Sequence, residues 1–340
     1  MKTNWENFGS GLKRNMKMLF TSYLLIVLIL TVILGCLASP YFLTLRNVEN
    51  VLTFAAVVSV IAVGQFFVVV TGGIDLSVGS IAALTTVVAA VMMKAGHSAF
   101  ASSLTALVAA GAVGGASGFL VIKAGITPFI ATLAMMSIAR GLSYLVQVGS
   151  LIGITNKGFI WFFSGSVGPL PNPVSLFVLI TLVAAFFMRS TTFGRRLYAI
   201  GGNTEAARLS GLPVKQSIFS VYVLSGLLSG FGGLILAAQL TQGSSLLAQG
   251  YELDTIAAVV VGGAALTGGT GNPVGAVVGG LIIAILGNIM NLMTIPSEPQ
   301  LVVKGILIII AVVFIGKKRD RILRKKQNNN NIPAELTPAA

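Results

Sequence analysis

The chain has 340 residues, 55% of them hydrophobic and only 9% charged, and its mean hydropathy is +0.93. A soluble domain carries about a quarter charged residues, so this composition excludes a water-dispersed globule and requires lipid to cover much of the surface. The formal net charge of +13 does not point to nucleic acid, because the basic residues flank apolar runs instead of lining one face or stripe.

A membrane-spanning helix uses roughly 20 apolar residues, and the apolar runs predict about ten of them: an all-α polytopic fold with some helices short or broken. Residues 1–18 precede the first run, 19–38. With Lys13, Arg14 and Lys17 before it, that run has the outline of a signal peptide, but a signal core spans only roughly 7–15 residues. The run also ends at Ser39-Pro40-Tyr41 without a small-x-small cleavage site, which makes it a retained span. The single cysteine, Cys36, lies inside it, has no intrachain disulfide partner and is expected to pack in the core.

The second run, 51–70, contains Gln65 and leads into Thr71-Gly-Gly-Ile-Asp75-Leu-Ser77-Val-Gly79-Ser80. Irregular backbone near membrane depth survives only inside protein or beside a water-filled cavity, and ionisable groups there usually have a role. Asp75 and Ser77 are therefore candidates for a translocation pathway; capping of the next helix is the compatible structural reading of Asp75. That next run, 78–93, is short. The loop after it holds the single histidine, His97, with no other plausible metal ligand nearby, so no metal site is expected. Runs 100–122 and 128–148 follow, then a longer polar interval with Pro169, Pro171 and Pro173, then run 174–188. The spacings Gly111-xxx-Gly115, Gly114-xxx-Gly118, Gly226-xxx-Gly230 and Gly275-xxx-Gly279 predict close helix packing.

Segment 189–216 is the most informative hydrophilic stretch. Asn203 is a good N-cap, Glu205 sits in the first turn, and Gly211 followed by Pro213 is a stop signal, which predicts a short helix over 204–210 outside the membrane. Ala206 and Ala207 make one side of it small and flat, suited to docking into a groove on another protein. An ordinary basic loop at the lipid surface is the other reading. Runs 217–240 and 254–266 flank Gly250-Tyr-Glu252-Leu-Asp254, and Val259-Val-Val-Gly-Gly263 echoes the Val-Val-Val-Thr-Gly-Gly that ends at Gly73, a hint of an internal repeat. Discontinuous helices of this kind line substrate sites in transporters. Runs 274–293 and 301–315 complete the set. Asn288 and Asn291 join Gln65 as amide candidates for a sparse, mostly apolar cavity. The tail, 317–340, begins basic and continues Asn- and Pro-rich, a composition expected to be disordered.

With a cytoplasmic N-terminus, seventeen of the 22 lysines and arginines fall on the cytoplasmic side: Lys2, Lys13, Arg14, Lys17, Lys123, Arg189, Arg195, Arg196, Arg208, Lys215 and the seven between Lys317 and Lys326. Arg46, Lys94 and Lys157 fall on the other side, and Arg140 and Lys304 lie within spans. The positive-inside rule then places both termini in the cytoplasm. The chain has no G-x-x-x-x-G-K-[ST] loop for ATP. With one histidine it has no Ser/His/Asp or Cys/His set either, so a non-catalytic subunit without a cofactor is expected. Mid-span ionisable groups are too few for a proton relay, Arg140 and Lys304 being the exceptions.

In GIDLSVGS (73–80), PFIATL (128–133) with Ala139-Arg140-Gly141, YAIGGN…AARLSG (198–211) and GYELD-x-IAAVV-x-GG (250–263), the chain resembles the ribose-type, monosaccharide permease subunits of bacterial ABC importers. The resemblance runs from about the first span to the last. It implies a multi-pass protein of the bacterial inner membrane that forms a homodimer with the pathway at its interface. Such a permease receives ribose or a similar monosaccharide from a periplasmic sugar-binding protein and is driven by a separate cytoplasmic ABC ATPase through alternating access. Asn203, Thr204, Glu205, Ala206, Ala207, Arg208, Ser210 and Gly211 match the family's coupling helix, which docks on that ATPase. The chain departs from the family at Gly262-Gly-Ala-Ala-Leu, where members often carry Thr-Ser after the glycines. Two rivals belong to other classes. An ion-coupled secondary transporter of a small polar solute also uses broken helices. A membrane-embedded enzyme would need a nucleophile, metal set or base that this sequence lacks.

Overall fold

The computed structural model describes residues 23–147, 149–296, 298–306 and 309. Segment 1–18, the end of the last apolar run and the tail 317–340 lie outside the described residues. In chain order the helices are α1 (Tyr23–Ala38), α2 (Leu45–Val70), α3 (Val78–Lys94), α4 (Ala99–Ile122), α5 (Pro128–Gln147), α6 (Lys157–Ser164), α7 (Asn172–Ser190), α8 (Thr192–Gly202), α9 (Thr204–Leu209), α10 (Val214–Gln239), α11 (Tyr251–Val261), α12 (Pro273–Leu292) and α13 (residues 298–306). Among the described residues, six helices are long and apolar enough to cross a membrane (α2, α4, α5, α7, α10 and α12), and α1 and α3 are shorter apolar helices. The fold is an all-α polytopic one. Strand pairing is confined to two-residue antiparallel ladders, β1 (Ile152–Gly153) with β4 (Gln242–Gly243) and β2 (Ser166–Val167) with β3 (Leu170–Pro171).

Several elements depart from the hydropathy reading for identifiable reasons. Helix α2 begins at Leu45, ahead of its apolar run, because its polar first turns find partners. Asn47 Nδ2 donates to Phe42 O at 2.9 Å and to Asn288 Oδ1 at 3.0 Å. Helices α6 and α8 were not expected, because the apolar run of α6 is too short for a span and α8 is largely polar; a side-chain cap starts each. Asn156 Oδ1 accepts from the Phe159 N–H at 3.0 Å and Thr191 Oγ1 from the Gly194 N–H at 3.4 Å. Cys36 is exposed on α1, not packed in the core as expected.

The two valine–glycine strings end their helices with the same pair of backbone hydrogen bonds, shifted by one residue, a stop that α3, α9 and α12 also use. Gly72 (φ +84°) donates to Val69 O at 2.9 Å while Gly73 donates to Val68 O at 3.2 Å. Gly263 (φ +91°) donates to Val260 O at 2.8 Å while Ala264 donates to Val259 O at 3.1 Å. Both are Schellman stops, which need a residue that tolerates positive φ just past the helix. That stop is why α11 ends at Val261 and does not continue to 266.

Helix α10 packs against α2, α3 and α4 at the centre of the bundle. The apolar window of α2 is 89% buried, whereas those of α4, α5 and α7 are about one third buried or less. The outer helices turn Leu25, Ile29, Phe129, Leu182 and Phe186 outward, the arrangement lipid requires. The glycine spacings serve helix contact as expected: a Cβ on Gly114 would lie 3.0 Å from Gly226 Cα, so α4 and α10 meet backbone to backbone.

Candidate functional site

At the end of the bundle where α2 stops, segments far apart in the chain meet. The Gly269 N–H donates to Val70 O at 2.8 Å, and Tyr198 Oη donates to Gly271 O at 2.8 Å. Gly201 lies so close that an added Cβ would collide with Val70 O and Gly269 N. These contacts fasten α8 to the turns that follow both α2 and α11. Burial raises the Tyr198 hydroxyl above its ordinary pKa and keeps it a proton donor.

Helix α9 stands on α8. Asn203 ends α8 and caps α9, its Oδ1 accepting from the Ala206 N–H at 2.9 Å, and Thr204 Oγ1 donates back to Ile200 O at 2.9 Å. The helix stops where Ser210 Oγ donates to Ala206 O at 2.8 Å, the Gly211 N–H to Arg208 O at 3.0 Å and the Leu212 N–H to Ala207 O at 3.1 Å. One expectation is corrected here. Ala207 is only 5% exposed and packs inward, so it does not share an outer side with Ala206. Consecutive helical residues are turned by about 100°, and one faces the protein while the other faces out. The outer face consists of Glu205, Ala206, Arg208, Leu209 and Ser210. Leu209 is 74% exposed. Beside it Arg208 grips Glu205 in two places, Nη2 to Oε1 at 2.5 Å and Nε to Oε2 at 3.1 Å. That guanidinium holds the Glu205 carboxyl below the usual carboxylate range. An exposed leucine beside a fixed ion pair on a firmly seated helix suits protein docking.

The second constellation lies inside the bundle, where the segment after α2 turns back. Asp75 is fully buried. Its Oδ1 accepts from the Ser77 N–H at 2.9 Å and Ser77 Oγ at 2.6 Å, and its Oδ2 accepts from Ser225 Oγ on α10 at 2.8 Å. The Gln65 amide, with its nitrogen assigned toward the Asp75 carbonyl, donates to Asp75 O at 2.9 Å and accepts from the Asp75 N–H at 3.3 Å. Asp75 thus forms an Asx turn that leads into α3 and fixes the turn at the level of Gln65, above the end of α2.

As a result α3 begins inside the bundle, and α11 begins next to it. A Cβ on Gly79 would lie 2.6 Å from Ala248 O and collide with Glu252 Oε2. From this junction α11 runs to the end where α2 stops, and α3 runs toward the β1–β4 ladder at the other end. At 1.5 Å per residue α3 reaches only about 25 Å and α11 about 16 Å, short of the roughly 30 Å hydrocarbon core. Segment 244–250 re-enters the bundle to reach the junction and is held on several sides. Arg140 Nη1 on α5 donates to Ser245 O at 2.5 Å and Leu247 O at 2.9 Å. The Ser245 N–H donates to Gln147 Oε1 at 2.6 Å and the Ser244 N–H to Thr86 Oγ1 at 3.2 Å. Just beyond, Lys304 Nζ on α13 lies 2.9 Å from the Asp254 carboxylate. Both mid-span cations singled out from the sequence therefore have partners.

Of the expected pathway residues, Gln65, Asp75 and Ser77 are brought together. Asn288 is elsewhere, exchanging hydrogen bonds of 2.8 and 3.0 Å with Asn47, and Asn291 is exposed and accepts from Gln300 Nε2 at 2.9 Å. Sequence reasoning missed Ser225, which sits in an apolar, glycine-rich helix with no local signal. It also missed Glu252, whose position in a Gly-Tyr-Glu-Leu-Asp string could have marked it. Among the described residues no group of three or more His, Cys, Asp or Glu is placed to hold a metal ion.

The family described as "Branched-chain amino acid transport system / permease component" matches residues 47–312. The ribose import permease protein RbsC of Escherichia coli is 40% identical over 299 residues, covering 87% of this chain and 93% of that protein. The protein of the same name from Bacillus subtilis is 42% identical, covering 86% and 91%. The L-arabinose ABC transporter permease protein AraH of Azospirillum brasilense is 37% identical, covering 84% of each. No solved structure matches the chain. With a family match over most of its length and relatives aligned nearly end to end, this chain belongs to the branched-chain amino acid transport system permease-component family of membrane proteins.

Proposed function

We propose that this protein is the permease subunit of an ATP-binding-cassette importer that carries ribose or a similar monosaccharide across the bacterial inner membrane. The observation that carries the reading is end-to-end likeness at 40% identity to a ribose import permease; an arabinose permease lies at nearly the same distance. In this reading the chain crosses the membrane about ten times, with α3 and α11 as broken helices. Both termini are cytoplasmic, which the basic asymmetry of the sequence supports. The protein works as a homodimer in lipid, receives sugar from a periplasmic binding protein, and hydrolyses no ATP itself.

Segment 189–216 is the coupling segment. The outer face of α9 (Glu205, Ala206, Arg208, Leu209 and Ser210) docks on a cytoplasmic ABC ATPase, with Asn203, Thr204, Ala207 and Gly211 shaping and seating the helix. Because α8 is fastened to the turns after α2 and α11, a push on α9 reaches both broken-helix loops directly. Alternating access then needs no chemistry on the sugar. Gln65, Asp75 and Ser77 serve the pathway by fixing where α3 begins, and Asn288 and Asn291 both lie on α12, which frames it.

The test is uptake into proteoliposomes containing this protein, its ATPase and its binding protein. Labelled ribose or another monosaccharide should accumulate only with internal ATP. Accumulation that follows an ion gradient without ATPase would establish the secondary-transporter alternative instead. Reporter fusions after Met188 and Ile315 should both read as cytoplasmic.

A further inference from the structure

Arg140 and Glu252 approach each other at the re-entrant segment without joining. Arg140, on α5, gives one guanidinium nitrogen to two main-chain carbonyls, Ser245 O and Leu247 O. Glu252, in the first turn of α11, stands within the field of that charge. Yet the ion pairs among the described residues are Arg208–Glu205 and Lys304–Asp254, and Glu252 Oε2 has no hydrogen-bond partner. A carboxylate oxygen withdrawn from water without a donor is held at a penalty, and so favours any arrangement that supplies one.

The backbone between the two residues is also held away from its preferred conformation. Ala248 has φ +54°, a left-handed geometry that a residue with a Cβ adopts only when its surroundings impose it. Its carbonyl and Glu252 Oε2 crowd the same point over Gly79. Leu247, whose carbonyl Arg140 holds, is the preceding residue, about 3.8 Å away from Cα to Cα. A strained residue, a carboxylate with one unpartnered oxygen and two carbonyls held by a guanidinium from another helix thus meet within residues 245–252.

We propose that Arg140 is a positioning residue with two alternative partners: the Ser245 and Leu247 carbonyls in the state described here, and the Glu252 carboxylate in the opposite state of the transport cycle. Resting on the transport reading above, the exchange releases segment 244–250, relaxes Ala248 and lets the start of α11 move against the start of α3. The second state gains a charge-assisted pair that the first lacks. Removing the carboxylate charge therefore disfavours the second state more than the first, and populations follow that difference.

The discriminating variant is Glu252→Gln, nearly isosteric and uncharged. Wild-type proteoliposomes with ATPase and binding protein provide the control; if these do not transport sugar with ATP, the functional reading itself has failed. With an active wild type, Glu252→Gln should lower maximal uptake by about tenfold to hundredfold, the size of one hydrogen bond to a charged group. Half-saturation by the loaded binding protein should change little, ATPase should still co-purify, and the melting temperature should stay within about 2 °C of wild type. Adding Arg140→Gln to Glu252→Gln should lower uptake no further than Arg140→Gln alone, because the two act through one contact. Unchanged uptake by Glu252→Gln would overturn the proposal. A large fall in its melting temperature would do so as well, since it would mean that the Glu252 charge is held as firmly in the resting state as the proposal requires of the other one.

Discussion

The ion pair between Lys304 and Asp254 offers the sharpest quantitative test of the interior. The two groups are 2.9 Å apart, with side-chain exposures of 21% and 2%. At an effective dielectric of about 20 their attraction is roughly 6 kcal/mol, enough to offset a desolvation penalty of several kcal/mol per ion and little more. The pair as a whole therefore adds little net stability, whereas losing one partner strands the other. Lys304→Met should destabilise the protein by about 3–5 kcal/mol, because Asp254 would remain buried at the start of α11 without its partner. For a chain of this size that corresponds to a fall of roughly 5–15 °C in the melting temperature measured in detergent. The double variant Lys304→Met with Asp254→Ala removes both charges and should recover most of the loss. If Lys304→Met melts like wild type, or if the double variant is no better than the single one, the two residues are not joined in a buried pair.

Other consequences are checked separately. Ala206→Trp, on the outer face of α9, should leave stability within about 0.5 kcal/mol of wild type yet abolish co-purification of the ATPase. Ala207→Trp, at a buried position, should instead lower stability by about 1–3 kcal/mol through overpacking. Equal ATPase retention by Ala206→Trp and wild type would remove α9 from the interface. Gly201→Ala forces a Cβ against Val70 O and Gly269 N; it should leave ATPase bound but reduce ATP-driven uptake, measured as sugar carried per ATP hydrolysed. Ser225→Ala withdraws a donor from the buried Asp75 carboxylate and should cost about 1–3 kcal/mol in thermal unfolding, against almost nothing for Asn291→Ala. The Glu205 carboxyl is held below its ordinary pKa by Arg208. The contribution of that pair is therefore fully present above the ordinary carboxylate range and is lost only as pH falls through the lowered value. ATPase binding should accordingly be flat from about pH 6 to 8.

Length, composition and runs of apolar residues determined that this protein lives in lipid and is helical, because both conclusions rest on local hydrophobicity and on the reach of a helix. The cap at Asn203, the stop at Gly211 and the two valine–glycine strings were legible for the same reason, since each works through hydrogen bonds to neighbouring residues. Helices α6 and α8 were not legible, because α6 has only five apolar residues in a row, α8 is largely polar, and their starts depend on single capping side chains. Only the tertiary structure decided that Ala207 faces inward while Ala206 faces out, and that Arg140 holds carbonyls where Lys304 holds a carboxylate. It also decided that Asp75 is bound by Ser225, 150 positions away. A buried polar group must find a partner somewhere, and the sequence states that need without stating the address. The partner is set by which helices pack side by side, and in this bundle the glycines that let α4, α10, α11 and α12 approach closely decide which groups come within reach.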